Sequence, residues 1–88
     1  MKIIFSKKIY KDFNNIDDKI LVKVNEIIIL LSSIKNINEI YLNIKKIKWF
    51  SNYYRIRIWD FRLWIKIDGD NITLLAIKHR KDIYKFFP

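Results

Sequence analysis

From Tyr54 to Ile67 apolar residues recur at every second position, and this period constrains the fold more than any other feature. Tyr54-Arg55-Ile56-Arg57-Ile58 alternates, and Phe61 to Ile67 alternates again. A helix cannot gather such a pattern on one side, whereas a strand half-buried in a sheet does so naturally. Between the two runs lies Trp59-Asp60, short enough for a two-residue hairpin loop, with Asp suited to the turn and Trp an unusual choice. Asp68-Gly69 is a second turn signal, in which the one glycine of the chain supplies a positive φ. Ile72 to Ile77 reads as a third, more continuously apolar strand. With Trp59-Asp60 as the loop, Ile58 faces Phe61, Arg57 faces Arg62, Ile56 faces Leu63 and Arg55 faces Trp64. Successive side chains point to opposite faces. One face therefore collects Tyr54, Ile56, Ile58, Leu63, Ile65 and Ile67, joined by Ile72, Leu74 and Ala76. This is the predicted core face.

The first half has a different period. Lys2 to Phe5 reads as a short strand. Ser6 is placed to cap a helix over about residues 7–13, with Ile9 and Phe13 on one side. Asn15 or Asp17 caps a second helix, in which Ile20, Val24, Ile27, Ile28 and Leu31 form a helical stripe. Asp17 and Asp18 lie in its first turn, where the helix dipole favours anions. That helix ends near residues 32–35, and the two helices form an antiparallel hairpin covering the core face. Residues 36–52 are less periodic and read as a connection with one helical turn. Trp49 and Phe50 are assigned to the core. His79 to Phe87 reads as a short helix anchored by Ile83 and Phe87.

Eighty-eight residues suffice for one domain, spanning 1–88. The chain has no Cys, which excludes a disulfide framework, a zinc finger and thiol catalysis. Its single His, His79, excludes a multi-His metal site within one chain. The longest purely apolar run, Ile27 to Leu31, is far short of the ~20 residues of a spanning helix. Met1 to Phe5 is too short for a signal peptide. A cytoplasmic location, with no membrane partner, is the expectation.

Charge is one-sided. Lys and Arg number 18 against 9 Asp and Glu, a net +9. Residues 1–44 carry a net +2 and residues 45–88 a net +7, including all four arginines. Such a field suits a polyanion or an acidic protein. The second sheet face gathers Arg55, Arg57, Arg62, Trp64 and Lys66. Like charges directly opposite, as at Arg57 and Arg62, destabilise a sheet by up to about 1 kcal/mol. A phosphate or carboxylate between them reverses that cost. In the last helix Arg80 and Tyr84, four apart, share a face, and Lys78 ends the preceding strand. Tyr53, Trp59 and Trp64 lie near this basic face or its rim, where aromatics beside arginines suit stacking on unpaired bases. Trp59 is read as a cation–π or core packing residue.

The stretch Tyr54 to Arg62, the hairpin, and Lys78-His-Arg-Lys-Asp-Ile-Tyr84 together resemble the RelE/ParE superfamily of toxins from type II toxin–antitoxin systems. The likeness covers the whole chain in order of elements and is specific in motif from about residue 45. It implies an α+β, RelE-like fold: an N-terminal strand and helix hairpin packed on a small antiparallel sheet, with a short C-terminal helix. It also implies an endoribonuclease that cleaves mRNA in the ribosomal A site without a metal or other cofactor. There the ribose 2′-hydroxyl attacks the adjacent phosphate. Arg62, Arg80 and Tyr84 match the family's catalytic positions, and Arg55 and Arg57 its basic strand positions. Lys45, Lys48, Lys66, Lys78 and Trp64 are read as further RNA or phosphate contacts. Implied partners are a cognate acidic antitoxin, the ribosome and mRNA. The sequence departs from the pattern at Trp59, where the family has Gly, and at Arg55 and Arg57, where mRNA-cleaving members have lysines. Arginine does not deprotonate, so the general base is Tyr84, its pKa lowered by nearby arginines, or else His79 or Lys78. Alternatives within the superfamily are a toxin of the ParE branch that inhibits DNA gyrase, and a degenerate member that only binds its antitoxin or RNA.

Overall fold

The computed structural model describes residues 1–39, 44–48 and 51–82. In chain order it forms strand β1 (Lys2–Phe5), helices α1 (Lys7–Phe13) and α2 (Asp18–Ser33), then strands β2 (Ile44–Lys46), β3 (Tyr53–Ile58), β4 (Phe61–Asp68) and β5 (Asn71–His79). The strands make one five-stranded sheet in the order β1-β5-β4-β3-β2. The sheet is mixed, which corrects the expectation of a purely antiparallel one: β1 runs parallel to β5, and the other pairs are antiparallel. Only a crossover connection can return a parallel strand to its neighbour, and here α1 and α2 form part of it.

Both helices start where side-chain oxygens can take up free backbone N–H groups. Ser6 Oγ accepts from the N–H of Ile9 at 3.2 Å, and Asp17 Oδ1 accepts from that of Lys19 at 2.7 Å. The stripe of α2 buries Ile20, Val24, Ile27 and Leu31, while Ile28 packs at its margin. These side chains meet Ile9 of α1 and Ile56, Ile58, Leu63, Ile65, Ile72, Leu74 and Ile77 of the sheet. Full burial of each such residue contributes about 1.5–3 kcal/mol.

The predicted register of β3 and β4 is the observed one, from Ile58 opposite Phe61 to Arg55 opposite Trp64. The predicted parity of β5 is half right. Trp64 pairs with Ala76 and Ile65 with Leu74, so Leu75 is an extra residue, a β-bulge. Beyond it the faces exchange, so that Ile77, not Ala76, joins the core. The strand also runs on through His79, where a helix was expected to begin, and residues 80–82 turn. The rest of that predicted helix lies outside the described residues, as do Trp49 and Phe50. The connection between α2 and β3 contains the expected single helical turn, Ile37–Glu39, but also β2, which the sequence reading missed. Three residues are too few to show a period, and pairing with β3 decides their state.

β1 covers only Asn71 to Leu74 of the β5 edge. The N-terminal end of α1 and its buried Asp12 satisfy much of the remainder. Ser6 Oγ donates to the carbonyl of Leu75 at 2.9 Å, and Asp12 Oδ2 accepts from the N–H of Ile77 at 3.0 Å. Edge groups left bare would template pairing with other chains.

Candidate phosphate-binding site

The face away from the helices is built by cross-strand pairs. Arg57 lies opposite Arg62, and Arg62 lies opposite Lys78. One rung along, Lys45 pairs with Arg55 and Arg55 with Trp64. A further rung pairs Tyr53 with Lys66, whose ammonium stands 5.8 Å from the tyrosine ring centre. Alternation of side chains along β3 and β4 thus gathers Arg55, Arg57 and Arg62, and β2 adds Lys45. Lys48 is exposed just beyond β2.

The hairpin tip orients the central cation. Nη1 of Arg62 donates to the carbonyls of Trp59 at 2.8 Å and Phe61 at 2.9 Å. The N–H of Arg80 donates to the carbonyl of Asp60 at 2.7 Å, and its Nε lies 3.7 Å from Asp60 Oδ1. That contact ties the start of the turn after β5 to the tip, and so brings Arg80 to the cluster. The pKa of Arg62 is pushed below its ordinary value by desolvation first, then by Arg57, Arg55 and Arg80, with Asp60 pulling the other way. The three arginines are close enough to oppose the charge of the fourth. A dianionic or monoanionic oxyanion set among them relieves that repulsion and receives planar, paired donors.

Three predicted site residues are placed otherwise. Trp64 is on the arginine face but only 2% exposed, seated across from the small side chain of Ala76. Its indole is a packing group, with no free surface for a base. Lys78 reaches Asp12 Oδ1 at 2.7 Å, so a buried carboxylate balances its charge. His79 is on the helix face because of the bulge, edge-on to Phe61 with ring centres 5.2 Å apart. Its Nδ1 accepts from the N–H of Lys81 at 3.1 Å, which engages the lone pair a base would use. Tyr84 lies outside the described residues. Among the described residues no group of three or more His, Asp or Glu side chains could hold a metal ion, and no helix is long and apolar enough to cross a membrane.

Sequence reasoning missed one residue here. Asp12 is separated by more than sixty positions from the groups it holds, and no local pattern announces it. Trp59, noted from the sequence as an unusual turn residue, occupies the first position of the two-residue loop at φ +52°, and the Lys23 ammonium 5.8 Å from its ring centre agrees with the cation–π reading.

Residues 3–84 match the model of the family described as ParE toxin of type II toxin–antitoxin system, parDE. The chain is 39% identical to Toxin RelE3 of Methanocaldococcus jannaschii over 88 residues, the full length of both. Its structure superposes with a TM-score of 0.88 on a chain of the RelB–RelE antitoxin–toxin complex from Methanococcus jannaschii, at 36% identity, covering 97% of this chain and 99% of that one. A YoeB dimer from Staphylococcus aureus gives a TM-score of 0.67 at 29% identity, covering 90% and 95%. The α+β architecture is therefore the RelE-like fold.

Proposed function

The chain belongs to the RelE/ParE superfamily of type II toxin–antitoxin systems and is a toxin of the RelE type, and we propose that it arrests translation by cutting mRNA on the ribosome. The observation that carries this reading is the facing pair Arg57 and Arg62, with Arg55 and Arg80 around it. A sheet has no stability reason to set three arginines on one face with a fourth beside them. A scissile phosphate gives them one.

In this reading Arg62 grips the non-bridging oxygens of the phosphate, and Arg57 approaches from the opposite strand. The ribose 2′-oxygen attacks phosphorus as its proton passes to a base, the P–O5′ bond breaks, and the leaving 5′-oxygen takes a proton from water. The products are a 2′,3′-cyclic phosphate and a 5′-hydroxyl. Negative charge grows on the phosphorane oxygens, and donors already aimed at that point stabilise it most. Arginine cannot take the proton. Lys78 is held by Asp12 and His79 faces the other way, so Tyr84 is assigned the base. As in the toxin–antitoxin complexes among its structural relatives, a cognate antitoxin is the partner. We take it to be acidic and to cover the arginine face.

Induced expression with primer extension on a translated reporter tests the proposal. Cuts within translated codons are expected, lost in Arg62→Ala and reduced at least about a hundredfold in Tyr84→Phe, the lower end of the range for a general base. Growth arrest with intact mRNA refutes the nuclease reading. The ParE description of the matched family favours inhibition of DNA gyrase as the second reading, which a supercoiling assay with purified protein decides.

A further inference from the structure

The hairpin that carries the arginines ends in a tryptophan where its fold calls for glycine. Both tight hairpins have two-residue loops, Trp59-Asp60 and Gly69-Asp70, and in each the first residue takes positive φ, +52° for Trp59 and +59° for Gly69. Glycine adopts that conformation without steric penalty, and a bulky residue does not. Nor does the indole repay its placement by burial, since Trp59 is 55% exposed. An exposed large aromatic in a strained conformation is better explained by a ligand than by packing.

The surroundings of the ring identify that ligand. Between the hairpin tip and α2 lies a groove of about 530 Å³. Ile27, Leu30 and Ile58 give it an apolar floor, and Trp59 forms a wall. Lys23 stands 5.8 Å from the indole centre, kept near by Glu26 at 3.4 Å. Arg57 also lines the groove, and Arg57 is the direct partner of Arg62 across the hairpin. Arg57 therefore borders both the groove and the phosphate cluster. An aromatic wall, an apolar floor and a cationic exit toward a phosphate site together suit a flat, uncharged ring linked to a phosphodiester.

We propose that this groove is a subsite for one unpaired base of the bound RNA, stacked on Trp59, with its phosphate passed through Arg57 to Arg62. The inference rests on the reading of the arginine face as a phosphate site, and adds to it a binding residue outside the catalytic set. Trp59 also supplies the carbonyl that receives Arg62 Nη1, so a base stacked there would sit one hydrogen bond from the arginine that grips the scissile phosphate.

The test is fluorescence anisotropy of the full chain with a labelled ten-nucleotide single-stranded RNA at low salt, alongside thermal melting. Trp59→Gly is the informative variant because it removes the ring while relieving the backbone. We expect about tenfold weaker RNA binding, the scale of one lost stacking contact, with a Tm equal to or above that of the unsubstituted chain. Trp59→Phe keeps a stacking face and should stay within about threefold. Unchanged RNA binding in Trp59→Gly, with binding lost in Arg62→Ala, overturns the subsite and leaves the phosphate reading standing. Unchanged RNA binding with lost antitoxin capture assigns the groove to the protein partner, and overturns it equally. Failure of the unsubstituted chain to bind RNA removes the phosphate reading and the subsite together.

Discussion

Arg62 carries a charge that Arg57, Arg55 and Arg80 oppose and that partial burial further disfavours. Its folded pKa is lowered, so the unfolded chain holds this proton more tightly, and stability rises with pH only across the interval between the two values. Arginine keeps its proton across the physiological range, so a change of pH there does not relieve the repulsion. Relief must come from anions. Inorganic phosphate or sulfate should therefore raise the Tm more than chloride at equal ionic strength, and Arg57→Gln should reduce the difference; equal shifts in all three salts would count against a built anion site. Asp12 presents the opposite case, a buried carboxylate with two partners. Asp12→Ala leaves the Ile77 N–H and the Lys78 ammonium without it. A loss of about 3 kcal/mol is expected, read as a fall in Tm of roughly 12–24 °C. Asp12→Asn keeps an acceptor and should cost less.

At the scale of elements, the bulge at Leu75 decides which residues of β5 face the core. Because Trp64–Ala76 and Ile65–Leu74 pair on either side of it, deleting Leu75 leaves every pair from Ala76 to His79 in register. The deletion removes the Ser6–Leu75 hydrogen bond and the local bend, and should cost only about 1–2 kcal/mol by chemical denaturation. Ile77→Ala, which empties a core position that is 1% exposed, should cost more, about 2–5 kcal/mol. A deletion costlier than the truncation would mean that the bulge itself holds the sheet. The same elements separate what was legible in the sequence from what was not. Local periods and caps gave α1, α2, β3 and β4, and a two-residue loop between alternating runs sufficed for the Arg57–Arg62 pair. The parallel docking of β1, the three residues of β2 and the extra residue in β5 depend on contacts distant in sequence, which leave no period. His79 reads in the sequence as the start of a helix because no local period shows that β5 runs on through it, and the bulge then sets the face on which it stands. Lys78 was misjudged because its partner, Asp12, arrives from α1. Trp64 was assigned to the right face, but its burial depends on packing that alternation does not describe.

Over the whole molecule, the +9 charge and the arginine cluster make different contributions that salt can separate. A diffuse positive field speeds encounter with any polyanion and is screened over about 8–10 Å at 0.1–0.15 M salt. Seated phosphates instead release counterions in proportion to their number, with a slope of log K against log salt of about −0.7 per contact for single strands. If Arg55, Arg57, Arg62 and Arg80 each engage a phosphate, their part of the slope is about −3. Arg62→Ala should then reduce the magnitude of the slope by about 0.7 as well as weaken binding. Lys2→Ala, exposed on the opposite edge strand, should leave both nearly unchanged. A slope equally sensitive to either substitution would mean that net charge alone attracts RNA. The steeper response of Arg62 would instead tie recognition to one face of the sheet, the same face on which a single hairpin register sets two arginines opposite each other.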